Sequence, residues 1–329
     1  MSKRILITGG AGFIGHHMVE HFMRTTDWQI IILDKLTYAS SGLSRLRDID
    51  RLDSRRVLLL AADFSHPLSE GIIQEIGQVN YIAHLGAETH VDRSIGDAEP
   101  FVRSNVIGTM HMLDFARTQK NLSHFIMFST DEVYGPAPEG VFFKETDRYN
   151  CTNPYSASKA GAEQLALSYA NCFKLPIFIT NTMNVFGERQ HPEKFIPMTI
   201  KKVLAGEKVI IHSNPDRTKA GSRFWIHARN VSDAIGFLLD KAQPKQSYNI
   251  VGEEEVDNLE MARIIAEVLR KPLIHEMVDF HSSRPGHDLR YALDGAKLKA
   301  MGWAPPMPFK ASLTKTIEWT LKREEWLRI

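Results

Sequence analysis

Ile5-Leu6-Ile7-Thr8-Gly9-Gly10-Ala11-Gly12-Phe13-Ile14-Gly15 is the stretch on which the reading of this chain turns. Ile5 to Thr8 is a short apolar run rich in β-branched residues, the pattern of a buried strand. Four glycines follow within seven residues, and Phe13 to Met23 then carries helical periodicity. Strand, glycine turn and helix in that order bring backbone N–H groups and the positive end of a helix to one point, where an anion is held. About 20 residues beyond Gly15, Asp34 closes a second apolar run, and a carboxylate there can accept hydrogen bonds from both hydroxyls of a ribose. Gly9, Gly12, Phe13, Ile14, Gly15 and Asp34 thus form the expected cradle of a dinucleotide.

Asp34 would repel a 2′-phosphate, which favours NAD over NADP, although Lys35 beside it pulls the other way. Lys35 itself, Asp63 after the third strand and Leu85 at the end of the fourth are the further cofactor contacts expected. Strands are expected at Ile5 to Thr8, Gln29 to Asp34, Val57 to Ala61, Tyr81 to Leu85, Phe125 to Ser129 and Ile177 to Asn181. Helical patterns lie between them, notably Asn105 to Ala116 and Tyr155 to Cys172. Alternation of this kind implies an α/β fold, a Rossmann-type doubly wound parallel sheet covered by helices on both faces. After Gly187 the chain turns to prolines, turns and short helices. A smaller, interleaved C-terminal domain is expected there, with Val231 to Lys241 and Ser247 to Ile250 returning to the sheet. The expected division is 1–186 plus about 224–250 for NAD, and about 187–223 plus 251–329 for the substrate.

With 329 residues, 43% of them hydrophobic, the chain can bury a substantial core. A formal net charge of +1 argues against a nucleic-acid binder. The basic segment Arg45 to Arg56 is interleaved with Asp48, Asp50 and Asp53 and reads as a solvated helical face. Cys151 and Cys172 lack CxxC spacing, which favours a reducing, cytoplasmic compartment. His17 and His21 have the spacing of a helical ligand pair but lack a third ligand, so no metal is expected. No apolar run has the length to cross a membrane, and Ile5 already belongs to the first strand rather than to a signal peptide.

Two further constellations carry chemistry. Tyr155 and Lys159 stand four apart on one helix face, and Pro154 suits a helix start that places both in the first turn, near the cleft. A tyrosine acting as base near neutrality must drop from about 10 by roughly 3 pKa units, and Lys159 with a nicotinamide cation can supply that help. Thr130 can hydrogen-bond the same substrate oxygen. Directly after it come Asp131 and Glu132, adjacent carboxylates at the end of a buried strand. Alone they would read as a solvated turn; beside a hydride-transfer triad they suit acid and base work.

The glycine loop, the Tyr-x-x-x-Lys pair and the strand-end Thr resemble the extended short-chain dehydrogenase/reductase superfamily. The chain is similar, more narrowly, to nucleotide-sugar 4,6-dehydratases of the dTDP-glucose and UDP-glucose type. Matching segments are Thr8 to Gly15, Leu33 to Ser40, His84 to Ile95, Ser129 to Gly135, Asn153 to Ala160, Pro192 to Pro197 and Arg284 to Asp294. The acid pair discriminates most, because related epimerases and decarboxylases usually lack it. The resemblance implies a hydro-lyase with tightly bound NAD, regenerated in each turnover. Tyr155, with Thr130 and Lys159, would oxidise the sugar at C-4. Glu132 would take the C-5 proton and a protonated Asp131 would serve the departing C-6 hydroxyl.

Substrate contacts are also implied by the resemblance: Asn184, Arg223, Asn258 and Arg284 around the diphosphate and nucleoside, with Lys194, His90 and Tyr291 as further pocket residues. His287 and Asp288 belong to the same matched segment. The chain departs from the family in Arg223-Phe224-Trp225-Ile226-His227-Ala228-Arg229-Asn230 and in Thr182-Met183-Asn184-Val185-Phe186-Gly187, which leaves the choice of nucleotide open. A homodimer built on the helices Asn105 to Ala116 and Tyr155 to Cys172 is implied as well. Rival readings are a nucleotide-sugar 4-epimerase, a 5,6-dehydratase, and a non-catalytic NAD-binding protein.

Overall fold

The computed structural model describes residues 2–279 and 289–328. Its strands are β1 (Arg4–Thr8), β2 (Gln29–Asp34), β3 (Val57–Ala61), β4 (Tyr81–His84), β5 (His124–Thr130), β6 (Ile177–Thr182), β7 (Val185–Phe186), β8 (Val209–Ser213), β9 (Ser222–Phe224), β10 (Ile226–His227), β11 (Ser247–Ile250), β12 (Glu255–Asp257) and β13 (His275–Asp279). Seven of them form one sheet in the order β11-β6-β5-β4-β1-β2-β3, with every neighbour parallel. The chain winds outward from β1 through β2 to β3, then returns to the other side of β1 with β4. That reversal opens a crevice at the carboxyl ends of β1 and β4, where ligands of doubly wound sheets bind.

A parallel sheet with helices on both faces needs strands that are apolar throughout, and these are. Ile5, Ile7, Ile30 and Ile32 face a core shared with helices Phe13–Thr25 and Ala228–Lys241. Leu6, Ile31 and Leu33, one residue out of phase, face a second core under helices Gly108–Arg117 and Pro154–Cys172. A third core gathers Phe186, Ile200, Ile211, Met261, Ile265 and Leu313 beneath helices Phe195–Ala205, Asn258–Leu269 and Phe309–Leu321. Around it lie the pairs β8 with β13, β9 with β12 and β7 with β10. Among the described residues, no helix is long and apolar enough to cross a membrane.

The expected strands of the sheet fall within a residue of those observed, and Ser247–Ile250 does return to pair with β6. Two local expectations are corrected. Arg45 to Arg56 is not a solvated helical face: only Ser44–Arg47 is helical, and the Arg45 side chain is buried. Its Nε donates to Arg189 O at 2.9 Å and its Nη1 to Ala39 O at 2.5 Å, so main-chain carbonyls replace water around the guanidinium. The segment around Asn105 begins as a π-helical turn, Val102–Ile107, before Gly108–Arg117 continues as α-helix. Asn105 there accepts from Glu88 N at 2.8 Å and donates to Glu88 O and Ser158 Oγ, both at 2.9 Å, tying the loop after β4 to helix Pro154–Cys172.

Candidate active site

One cavity opens along the carboxyl edge of the sheet. Its floor is the glycine turn after β1. Gly9 has φ +69, and a Cβ on it would lie 2.8 Å from Gly86 Cα; a Cβ on Gly15 would lie 2.1 Å from Gly9 O. Only glycine allows the turn and the close helix packing that follow. Helix Phe13–Thr25 starts at Gly12 without a side-chain cap or an acidic residue in its first turn, so its N-terminal N–H groups are left for an anionic ligand. Asp34 is held by Ala11 N at 3.0 Å and Leu36 N at 2.8 Å, and its remaining lone pairs stay available for ribose hydroxyls. These residues fit a dinucleotide.

The reacting end of the cavity is built by β5 and helix Pro154–Cys172. Asn153 caps that helix, accepting from Ser156 N at 2.9 Å, with the Ser156 hydroxyl closing the reciprocal half of a capping box and Pro154 at its first position. Such a cap stabilises a helix start by about 1 kcal/mol. It fixes Tyr155 in the first turn, while Lys159 sits one turn further on than expected. Lys159 Nζ donates to Phe128 O at 2.7 Å. Burial draws this lysine down to about 8, opposed by the charge of Glu163. Tyr155 is buried too, and burial and the nearby Glu132 charge push its phenol upward, opposed by a hydrogen bond with Thr130.

β5 ends at Thr130, and Asp131–Tyr134 forms a 3₁₀ turn capped by the Thr130 side chain. Thr130 Oγ1 donates to Asp131 Oδ1 at 3.0 Å and accepts from Glu132 N at 3.3 Å. Asn153 Nδ2 donates to Glu132 Oε2 at 3.1 Å. Burial raises Asp131 to about 6, with Arg223 opposing. It raises Glu132 to about 7, with the Asp131 charge adding to the rise. The pair therefore holds a proton near neutrality. Each carboxyl has one side-chain donor, Thr130 for Asp131 and Asn153 for Glu132, and burial together with their mutual repulsion leaves one proton to be shared between them.

The cavity brings together Gly9, Gly12, Phe13, Ile14, Gly15, Asp34, Lys35, Leu85, Thr130, Asp131, Glu132, Tyr155, Lys159, Asn184 and Lys194. Lys35 Nζ is paired with Glu88 Oε1 at 2.9 Å. Five other expected residues do not line it. Asp63 accepts from Ser65 N at 2.9 Å, and His90 caps the helix Val91–Gly96 with its Nε2 3.7 Å from Glu193. Arg223, Asn258 and Tyr291 gather beyond the acid pair. The Arg223 guanidinium lies 4.5 Å from the Tyr291 ring centre, its Nη1 donates to Leu289 O at 2.9 Å, and Asn258 N donates to Gly221 O at 2.8 Å. The Arg223 and Lys194 charges both reach Glu132. Arg284, His287 and Asp288 lie outside the described residues. Among those described, no cluster of His, Cys, Asp or Glu could hold a metal ion.

The profile of the family described as GDP-mannose 4,6 dehydratase matches residues 6–316. The chain belongs to this family. Among curated relatives, dTDP-glucose 4,6-dehydratase 1 of Escherichia coli strain K12 is 35% identical over 347 residues, covering 98% of this chain and 94% of that protein. Among solved structures, the dTDP-glucose 4,6-dehydratase of Bacillus anthracis in complex with NAD superposes with a TM-score of 0.88 at 32% identity, covering 99% of each chain. A UDP-glucose 4-epimerase of Thermus thermophilus in complex with NAD has the same fold at a TM-score of 0.83 but only 26% identity, over 96% and 98% of the two chains.

Within this 4,6-dehydratase family member, four residues at the site escaped the reading of the sequence. Glu88, Asn153, Glu163 and Glu193 each hold a side chain that lines or underlies the cavity. Asn153-Pro154 was legible as a helix cap. The other three are lone glutamates whose partners come from distant parts of the chain.

Proposed function

We propose that the chain dehydrates a nucleotide-diphospho-glucose, dTDP-glucose before UDP-glucose, to the 4-keto-6-deoxy sugar nucleotide. The observation that carries this reading is the acid pair Asp131 and Glu132, which shares one cavity with Thr130, Tyr155 and Lys159. Moving a hydride needs only the last three. Removing water from C-5 and C-6 needs, in addition, one group that takes a proton and one that gives it. The dTDP-glucose dehydratases among the relatives support the choice of nucleotide.

Gly9, Gly12 to Gly15, Asp34 and Leu85 would hold NAD, which would supply the hydride acceptor for C-4 and the hydride donor for C-6. Thr130 and Tyr155 receive the C-4 hydroxyl, and Tyr155 takes its proton, with the Lys159 ammonium offsetting the charge that burial disfavours. A ketone at C-4 acidifies the C-5 hydrogen. Glu132 takes that proton while Asp131 protonates the leaving C-6 hydroxyl. The two buried carboxyls share one proton, which rests on Asp131 when Glu132 acts as the base.

In the same reading, 1–186 plus about 224–250 holds NAD, while about 187–223 plus 251–329 grips the nucleotide sugar through Lys194, Arg223, Asn258 and Arg284, with Asn184, His90 and Tyr291 around it. Lys35 and Asp63 complete the adenosine end. The enzyme works as a cytoplasmic homodimer, in keeping with two free cysteines. Separate incubation with dTDP-glucose, UDP-glucose and GDP-mannose, followed by mass spectrometry, tests the assignment. Loss of one water without consumption of added NAD is expected; a product of unchanged mass, epimerised at C-4, would sink it.

A further inference from the structure

Glu163 is a buried carboxylate that the proposed reaction leaves without a task. It is fully buried on helix Pro154–Cys172, one turn beyond Lys159 and two beyond Tyr155, so the three side chains share one helix face. Its Oε1 accepts from Ser129 Oγ and from Asn181 Nδ2 at 3.1 Å, and its Oε2 accepts from Tyr149 OH. The three donors favour its ionised form, against burial, which is the larger influence and raises Glu163 above the usual carboxylate range. Lys159, buried beside it, donates to Phe128 O, the residue next to Ser129 on β5. The two side chains thus reach adjacent residues of one strand, and among the described residues Lys159 has no carboxylate at ion-pair distance.

We propose that Glu163 is the counter-charge that keeps Lys159 protonated while Tyr155 works, a positioning residue two helical turns below the reacting proton. The inference rests on Tyr155 being the proton acceptor. The other titratable groups facing the pair do not serve. His84, at the end of β4, is held neutral at about 3 by burial, and the Lys159 charge adds to this. Tyr134, Tyr149 and Cys151, from the segment after β5, are all pushed upward, first by burial, and so stay uncharged. Asp131 and Glu132 bear on Tyr155 rather than on the lysine. At Lys159 itself, burial favours loss of the proton and Glu163 opposes it. At Glu163, burial favours protonation, and the three donors and the Lys159 charge oppose it.

Removing the counter-charge lowers the pH at which Lys159 gives up its proton, so the alkaline limb of C-4 oxidation moves down. The test is the single-turnover rate of that step against pH in NAD-loaded wild type, E163Q, E163D and Y149F. In E163Q the limb is expected at least one pH unit lower, about a tenfold loss of rate at a fixed pH on that limb. In E163D, whose carboxylate is drawn back by one methylene, it moves part of the way. Y149F removes one of the three donors but keeps the carboxyl in place, so its melting temperature falls and its limb moves less than that of E163Q. A loss by the same factor at every pH, with the limb unmoved, would make Glu163 a packing residue and overturn the proposal. Should E163Q not fold, an unmoved limb in E163D overturns it equally. A wild-type protein that oxidises no sugar fails the functional reading itself, before any variant is compared.

Discussion

Replacing Glu132 by Gln separates the acid pair into its two jobs and makes a stability prediction as well. The amide can still accept the Asn153 hydrogen bond, seen at 3.1 Å, so the local geometry survives. Burial, aided by Asp131, raises Glu132 from 4.5 to about 7. The folded protein therefore holds this proton more tightly than the unfolded chain does. The resulting stability is fully present below pH 4.5 and is lost as pH rises through about 7. At about 1.4 kcal/mol per pKa unit the interval amounts to about 3 kcal/mol. Glu132 keeps some exposure to the cavity, so screening reduces this to about 1–2 kcal/mol. A glutamine cannot ionise and escapes the penalty. E132Q should therefore be more stable than wild type by about 1–2 kcal/mol at about pH 8 and equal to it near pH 4.5, measured by urea unfolding. In single-turnover mixing, C-4 oxidation should persist while water loss slows by about 100-fold or more, so the near-ultraviolet absorbance of reduced nicotinamide rises and stays. Unchanged water loss would refute the base assignment. An absent stability gain at the higher pH would refute the electrostatic argument.

Y155F should slow C-4 oxidation by about 100- to 10,000-fold, since it removes the proposed proton acceptor, and stopped-flow absorbance will show no early rise. G15A places a Cβ 2.1 Å from Gly9 O, a clash that only a backbone shift can relieve; protein purified with this change should carry little NAD when its nicotinamide is released by denaturation and quantified. D34A removes the acceptor of Ala11 N and Leu36 N along with the proposed ribose contacts. By calorimetry, NAD affinity should fall by about 10- to 100-fold and the preference over NADP should shrink.

How far the fold could be read from the sequence depended on what each element buries. Gln29–Asp34 is apolar on both faces because helices cover both sides of the sheet, so it stands out as a continuous run. The glycine turn was legible because its backbone geometry leaves few alternatives. Arg45 misled because its neighbours alternate in charge, a pattern shared by solvated faces; nothing in that pattern reveals that the carbonyl of nearby Ala39 and that of distant Arg189 enclose it. Asp131 and Glu132 were visible as a pair beside Thr130, but the groups that set their protonation include Asn153 and Arg223, which only the folded chain brings near. Glu163 was invisible for the same reason: Ser129, Tyr149 and Asn181 reach it from three separate segments.

The central claim is that one sugar loses a hydride at C-4 and regains it at C-6 without leaving this cavity. A dTDP-glucose carrying deuterium at C-4, incubated with the purified protein and analysed by mass spectrometry and NMR, tests it most directly. The account predicts a 4-keto-6-deoxy product that has lost one water and carries the deuterium at C-6. Deuterium retained at C-4 in an epimer, or lost to added NAD in solution, would contradict it.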